Sequence, residues 1–122
     1  MDSILAKLQQ LSPGTVIPEP EAKGEIKIKG WGKRGGEPAL VYFTPNHANP
    51  ERPREQGINT LEWEQAYQQL VGTGSFTKKW YARHMPRCAN EGPCNFKTIG
   101  GVFSLLGLAK YESKGVYRSI VL

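Results

Sequence analysis

Three residues of this 122-residue chain have the types and spacing of a small chemical site: His84, Cys88 and Cys94, in an H-x3-C-x5-C run. Imidazole and thiolate are the ligands zinc prefers, and His47 is the one other histidine that could complete a set of four. Structural zinc sites are built on a closely spaced cysteine pair, and that knuckle is missing here. A cysteine nucleophile needs a base and an oxyanion site, for which one histidine upstream of Cys88 is thin support. A Cys88–Cys94 disulfide is disfavoured in a reducing compartment. The run is therefore expected to be a loop with two semi-buried thiols. No catalytic residue, metal or cofactor is expected.

The second chemistry on offer is charge. Sixteen Lys and Arg face eleven acids, a net charge of +5 and a pI near 9.3. Such a balance favours polyanionic partners through counterion release and long-range attraction. Ten of the acids are Glu and the only Asp is Asp2. Metal-dependent nucleases and phosphoryl-transfer enzymes lean on the short Asp side chain to fix a hard cation, so that class is disfavoured and the chain is read as no enzyme. The cations fall in three groups, which are the candidate nucleic-acid-binding residues. Lys27, Lys29, Lys33 and Arg34, with Lys23 nearby, crowd a first hairpin. Lys78, Lys79 and Arg83, followed by Arg87, recur at near-helical spacing around Trp80 and Tyr81, with Lys79 and Arg83 on one helix face. Lys110, Lys114 and Arg118 lie on a second hairpin beside Tyr117. Such groups position a protein on phosphates without reading sequence.

These residues need elements to hold them. Residues 3–11 read as a short helix capped by Ser3, with Ile4, Leu5, Leu8 and Leu11 on one face. Residues 12–24, rich in Pro and Gly, read as an ordered linker around Val16 and Ile17. Glu25-Ile26-Lys27-Ile28-Lys29 alternates as a half-buried strand, Gly32-Lys33-Arg34-Gly35-Gly36 reads as a flexible turn, and 39–43 as the partner strand. Residues 45–58 read as a polar loop. Asn59 and Glu62 form a capping box opening a helix with Leu61, Ala66, Tyr67, Leu70 and Val71 inward and Gly72 as its C-cap. Ser75 is expected to cap a second helix over 76–84, stopped by Pro86, with Phe76 and Trp80 in the core. Asn95 is expected to cap a third over 96–106, with a broad apolar stripe at Phe96, Ile99, Val102, Phe103 and Leu106. Gly100-Gly101 inside that helix costs ~1 kcal/mol per glycine against alanine, so something must approach its backbone closely. Strands 108–112 and 116–122 close the chain around Ser113-Lys114-Gly115.

The fold class is thus α+β: an N-terminal helix and β-hairpin followed by three helices and a β-hairpin, in one domain over 1–122. Over residues 59–122 this order resembles a winged helix-turn-helix. Two features depart from that pattern. The segment between the second and third helices, Arg87 to Cys94, exceeds the usual tight turn. The third helix carries only Lys97 as a charge, with Thr98 and Ser104 as its other polar candidates, whereas a reading helix offers several donors to base edges. The expected function is therefore nucleic-acid binding, to DNA first, gripping phosphates with little direct base readout. The alternative is a protein-interaction module, an inhibitor or accessory subunit, using the apolar third helix and the 45–58 loop. No apolar run approaches a membrane span, the N-terminus lacks a signal-peptide pattern, and the cytoplasm is the expected compartment.

Overall fold

The alternation at Ile26-Lys27-Ile28-Lys29 does build a strand with both isoleucines buried and both lysines exposed. The computed structural model of the chain describes residues 4–19, 25–34, 36–46, 48–92 and 94–120. Ser3 and Asp2 at the start, Lys23 of the basic group, Gly35 of the turn, His47 and the last two residues of the final strand lie outside the described residues. The molecule is α+β, with two antiparallel sheets, several helices and no closed barrel among the described residues.

The first half is an antiparallel sheet in the order β1-β2-β3-β4, comprising Val16–Ile17, Ile26–Arg34, Glu37–Thr44 and Arg54–Asn59, preceded by helix α1 over Ile4–Gln9. Three expectations are corrected here. Val16 and Ile17 are an edge strand paired with Lys27 and Ile26, not linker. Gly32, Lys33 and Arg34 belong to β2, paired with Ala39, Pro38 and Glu37, so the turn is far tighter than expected. Residues 54–58 of the expected loop are strand β4, in register with β3 from Ala39↔Asn59 to Thr44↔Arg54. An edge strand needs little apolar content, and charged edges discourage unwanted pairing; only Gly57 and Ile58 of β4 are buried.

Helix α2, Thr60–Thr73, starts on the capping box: Asn59 Oδ1 accepts from the Glu62 amide and Glu62 Oε1 accepts from the Asn59 amide, both at 2.9 Å. Its buried residues are Trp63, Ala66 and Leu70 with Tyr67 packed alongside; Leu61 and Val71 are 61% and 42% exposed, so they are not on the inner face. The helix ends at Gly74, with φ +88°, rather than at Gly72. Strand β5, Ser75–Thr77, follows where a helix start was expected, and Thr77, not Ser75, caps α3 (Lys78–His84) by accepting from the Trp80 amide at 3.1 Å. Pro86 does not merely stop α3. It opens another helix, α4 over Pro86–Glu91, where a ring-fixed φ and a missing N–H cost nothing. Cys88 is therefore helical and not in a loop.

Helix α5, Asn95–Leu105, is the pillar of the second half, and strands β6 (Ala109–Ser113) and β7 (Val116–Ser119) complete a second sheet in the order β5-β7-β6. One hydrophobic cluster runs from Ile4 to Tyr117 through both sheets. At its centre Phe76 stacks on Phe96, centroids 4.9 Å apart, and meets Phe103 edge-on, as does Trp63. The two helix glycines now have a reason. A Cβ at Gly100 would overlap the Tyr117 ring, and one at Gly101 would strike the Pro18 carbonyl oxygen and lie 2.7 Å from Ile17 Cγ2. α5 is pinned between β7 and the segment that begins with β1, and the close approach comes from the chain itself.

Candidate functional site

The ten candidate cations do not form one surface of equal character. Four are paired with glutamates. Lys27 meets Glu25 at 3.2 Å, and Lys29 meets Glu55 at 2.6 Å with its ammonium 5.7 Å from the Phe43 ring centroid. Arg34 donates through Nε and Nη2 to one oxygen of Glu91, at 2.9 and 2.5 Å, and Arg87 donates to the other at 3.3 Å. The guanidinium of Arg34, the larger influence, and that of Arg87 hold the Glu91 carboxyl below its usual range. Arg118 makes a two-pronged pair with Glu112 at 2.8 and 3.0 Å, which likewise lowers the Glu112 carboxyl. Exposed pairs of this kind add little stability, but each cancels a charge locally. The first hairpin is thus largely neutralised, with Lys33 its one candidate that lacks an ion pair among the described residues.

Lys78, Lys79 and Arg83 of α3 and Lys110 and Lys114 of the last hairpin are exposed and carry no ion pair among the described residues. Backbone pairing joins the two groups. The Lys78 amide donates to the Gly115 carbonyl at 2.9 Å, and Gly115, at φ +77°, turns the hairpin directly under the start of α3. Lys78 and Lys114 therefore share the rim of a cleft of about 210 Å³, together with Lys97 from the first turn of α5. Phe96, Tyr111, Tyr117 and Gly115 supply its walls, and Glu19, just beyond β1, completes it. Tyr111 meets Tyr117 edge-on at 5.6 Å, which fixes the ring at the cleft.

Glu19 is the unusual member. Its Oε1 is buried with no hydrogen-bond partner among the described residues. Burial pushes its carboxyl up from the usual 4.5 to about 7, against the opposing pull of Lys97. The folded chain thus holds this proton more tightly than the unfolded chain, so the Glu19 contribution to stability falls as pH rises from about 4.5 through about 7, then levels. Glu19→Gln keeps the neutral shape and should raise the melting temperature at pH 8 while leaving it unchanged near pH 4.5. An equal shift at both pH values, in thermal melts followed by circular dichroism, would contradict this.

The His84/Cys88/Cys94 run does not converge. His84 is exposed and stacks on Trp80, centroids 5.3 Å apart. Cys88 is buried, and burial drives its thiol up to about 12, so it stays protonated and is a poor nucleophile. Both thiols instead edge a buried polar seam. Tyr42 of β3 donates its hydroxyl proton to Asn95 Oδ1, leaving the Cys94 thiol, 3.6 Å away, to donate to the Tyr42 oxygen. Asn95 Nδ2 donates to the Cys88 carbonyl at 3.3 Å and lies 3.4 Å from its sulfur. Asn95 is thus not the cap it was expected to be; Cys94 holds that position without a side-chain cap bond. No group of three His, Cys, Asp or Glu among the described residues could hold a metal ion, and His47 lies outside them.

The apolar stripe of the third helix is also placed. Phe96, Ile99, Val102 and Phe103 are core and Leu106 is packed against it, leaving Leu105 as the large apolar side chain exposed on α5. Glu19, Phe96, Lys97, Tyr111 and Gly115 are the cleft residues not assigned to a site from the sequence. Lys97 carried a faint signal, as the lone charge on an apolar helix. Among the described residues, no helix is long and apolar enough to cross a membrane. No family model, curated protein or solved structure matches the chain.

Proposed function

We propose that this chain binds nucleic acid through phosphate contacts from α3 and the β6–β7 turn, largely without reading sequence. What carries the reading is a single juxtaposition: exposed cations from α3 and the last hairpin, without ion pairs among the described residues, share a rim where the Lys78 amide meets the Gly115 carbonyl. Cations already matched by carboxylates contribute less to counterion release, which shifts the grip from the first hairpin to this end. The order α2, α3–α4, α5, β6–β7 is compatible with a winged-helix arrangement, with β5 added beside β7. The third helix of that arrangement is buried here, so α3 and the wing-like hairpin would face the phosphates and α5 would read no groove. A positioning grip of this kind is sequence-tolerant. Lysine acetylation followed by mass spectrometry tests it. Random-sequence DNA, at about 50 mM salt, should protect Lys78, Lys79 and Lys114 more than Lys27 and Lys29. Protection confined to the first hairpin, or none, would overturn the assignment.

A further inference from the structure

A cationic rim alone would serve a phosphate backbone, but the cleft inside it has features that phosphates do not need. It is about 210 Å³ in volume, below the ~300 Å³ at which pockets for drug-sized ligands begin, so it suits one ring system. Its walls are the aromatic Phe96, Tyr111 and Tyr117, of which Phe96 and Tyr117 are core rings each 2% exposed and Tyr111 is the partly exposed one. A carboxyl group with a buried oxygen, unpartnered among the described residues, lies against this apolar space. Three lysines from three different elements, Lys78, Lys97 and Lys114, surround the mouth. Apolar ring walls, a polar group inside and cations outside match the three parts of a nucleotide: base face, base edge and phosphate.

Building on the nucleic-acid reading, we propose that the cleft receives one unstacked nucleotide of a single strand, its base against Tyr111, Phe96 and Tyr117, its base edge at Glu19 and its flanking phosphates on Lys78, Lys97 and Lys114. Proteins that hold single strands combine aromatic platforms with a cationic track in this way. A carboxylate accepts hydrogen bonds, and the exocyclic amino group of cytosine is a donor it can pair with, whereas thymine presents a carbonyl oxygen at that position. The cleft should therefore favour cytosine over thymine at one position along a strand that is otherwise held without preference. The charged and titratable groups facing Glu19 are Lys97 on α5, Lys78 on α3, Lys114 in the turn and the phenols of Tyr111 and Tyr117. The lysines keep the site cationic as Glu19 ionises, and ionisation turns Glu19 into a pure acceptor. The cytosine preference should accordingly grow between pH 6 and pH 8.

Fluorescence-anisotropy titrations of the intact chain with labelled single-stranded oligodeoxycytidylate and oligothymidylate of equal length, at about 50 mM salt, test this. The expected result is tighter binding of the cytosine strand by roughly five- to hundredfold, the scale of one base-edge contact. Glu19→Gln should abolish the growth of that preference with pH, and Lys114→Ala should weaken both strands alike while lowering the salt slope by about one. Equal affinity for the two strands with wild-type protein would overturn the cleft assignment and leave the phosphate grip standing. Absence of binding to either strand would remove the nucleic-acid reading and this inference with it. Free deoxycytidine monophosphate binding as tightly as the strand would overturn the single-strand assignment in favour of a free nucleotide. The wild-type comparison needs no variant to fold, so failure of Glu19→Gln to fold would still leave it decisive.

Discussion

Reversing Lys79 and Arg83 to Glu should lower the proposed affinity for nucleic acid well over tenfold, with little change in stability. Both side chains are exposed and four residues apart on α3, and neither has an ion pair among the described residues. The double change therefore removes two positive charges and adds two negative ones at the surface that faces phosphates in this account. Surface substitutions away from caps and core shift stability by about 0.5 kcal/mol or less. The salt slope of binding should shrink by about two, one for each phosphate that no longer meets a cation. Reversing Lys27 and Lys29 is the control. It changes net charge equally, but at a face where Glu25 and Glu55 already cancel those cations. At ionic strengths where the Debye length is about 10 Å, location and not total charge decides the effect, so this control should cost far less affinity. Equal losses from the two pairs, measured by anisotropy with the melting temperature unchanged, would remove α3 as the binding element.

Asn95→Leu should be among the most destabilising conservative replacements in the chain. Leucine is close in size, so the cost is polar rather than steric. Asn95 is fully buried and takes the Tyr42 hydroxyl proton on one side while donating to the Cys88 carbonyl on the other. The Cys88 carbonyl keeps the Gly92 amide at 3.1 Å as a second partner, so the main loss is the acceptor of the Tyr42 hydroxyl proton, which is left with the weakly polar Cys94 thiol 3.6 Å away. A buried polar group stranded in this way costs about 1–3 kcal/mol. For a chain of this size that is a fall in melting temperature of roughly 5–15 °C. Tyr42→Phe alone strands Asn95 Oδ1 and should cost a comparable amount. Removing both partners together strands neither the Tyr42 hydroxyl nor Asn95 Oδ1 and leaves only the weakly polar Cys94 thiol without its partner, so the double variant should be less destabilised than the sum of the singles by about 1 kcal/mol or more. Simple additivity in thermal or denaturant melts would show that this seam is not an interacting unit.

The features legible in the sequence were those set by near neighbours. The Asn59/Glu62 capping box, the alternation through Ile28 and the Gly115 turn each depend on residues within a turn or so of chain, and all are present. Strands β4 and β5 escaped notice because pairing, not composition, makes them strands: Arg54-Glu55-Gln56 has no apolar period, and Ser75-Phe76-Thr77 is too short to show one. Pro86 carried both meanings that proline has at helix boundaries, and the sequence offered no means of choosing the start of α4. The Gly100-Gly101 pair announced a close approach, but its cause, Tyr117 on one side and Pro18 on the other, is tertiary. The basic residues were all visible, yet their value was not. Glu91 lies far along the chain from Arg34, and Glu55 from Lys29, so which cations were already neutralised depended on pairings across elements. The cleft was hidden for the same reason, since it draws on separate stretches of chain from Glu19 to Tyr117.

The measurement that bears most directly on the central claim is the salt dependence of affinity for random-sequence DNA. Binding through the exposed cations of α3 and the last hairpin predicts a linear fall of log affinity with log salt. The slope should correspond to about three to five phosphate contacts, and affinity should fall on the order of a hundredfold between about 50 and 200 mM. Undetectable binding at about 50 mM salt, or binding whose affinity does not change with salt, would contradict the account.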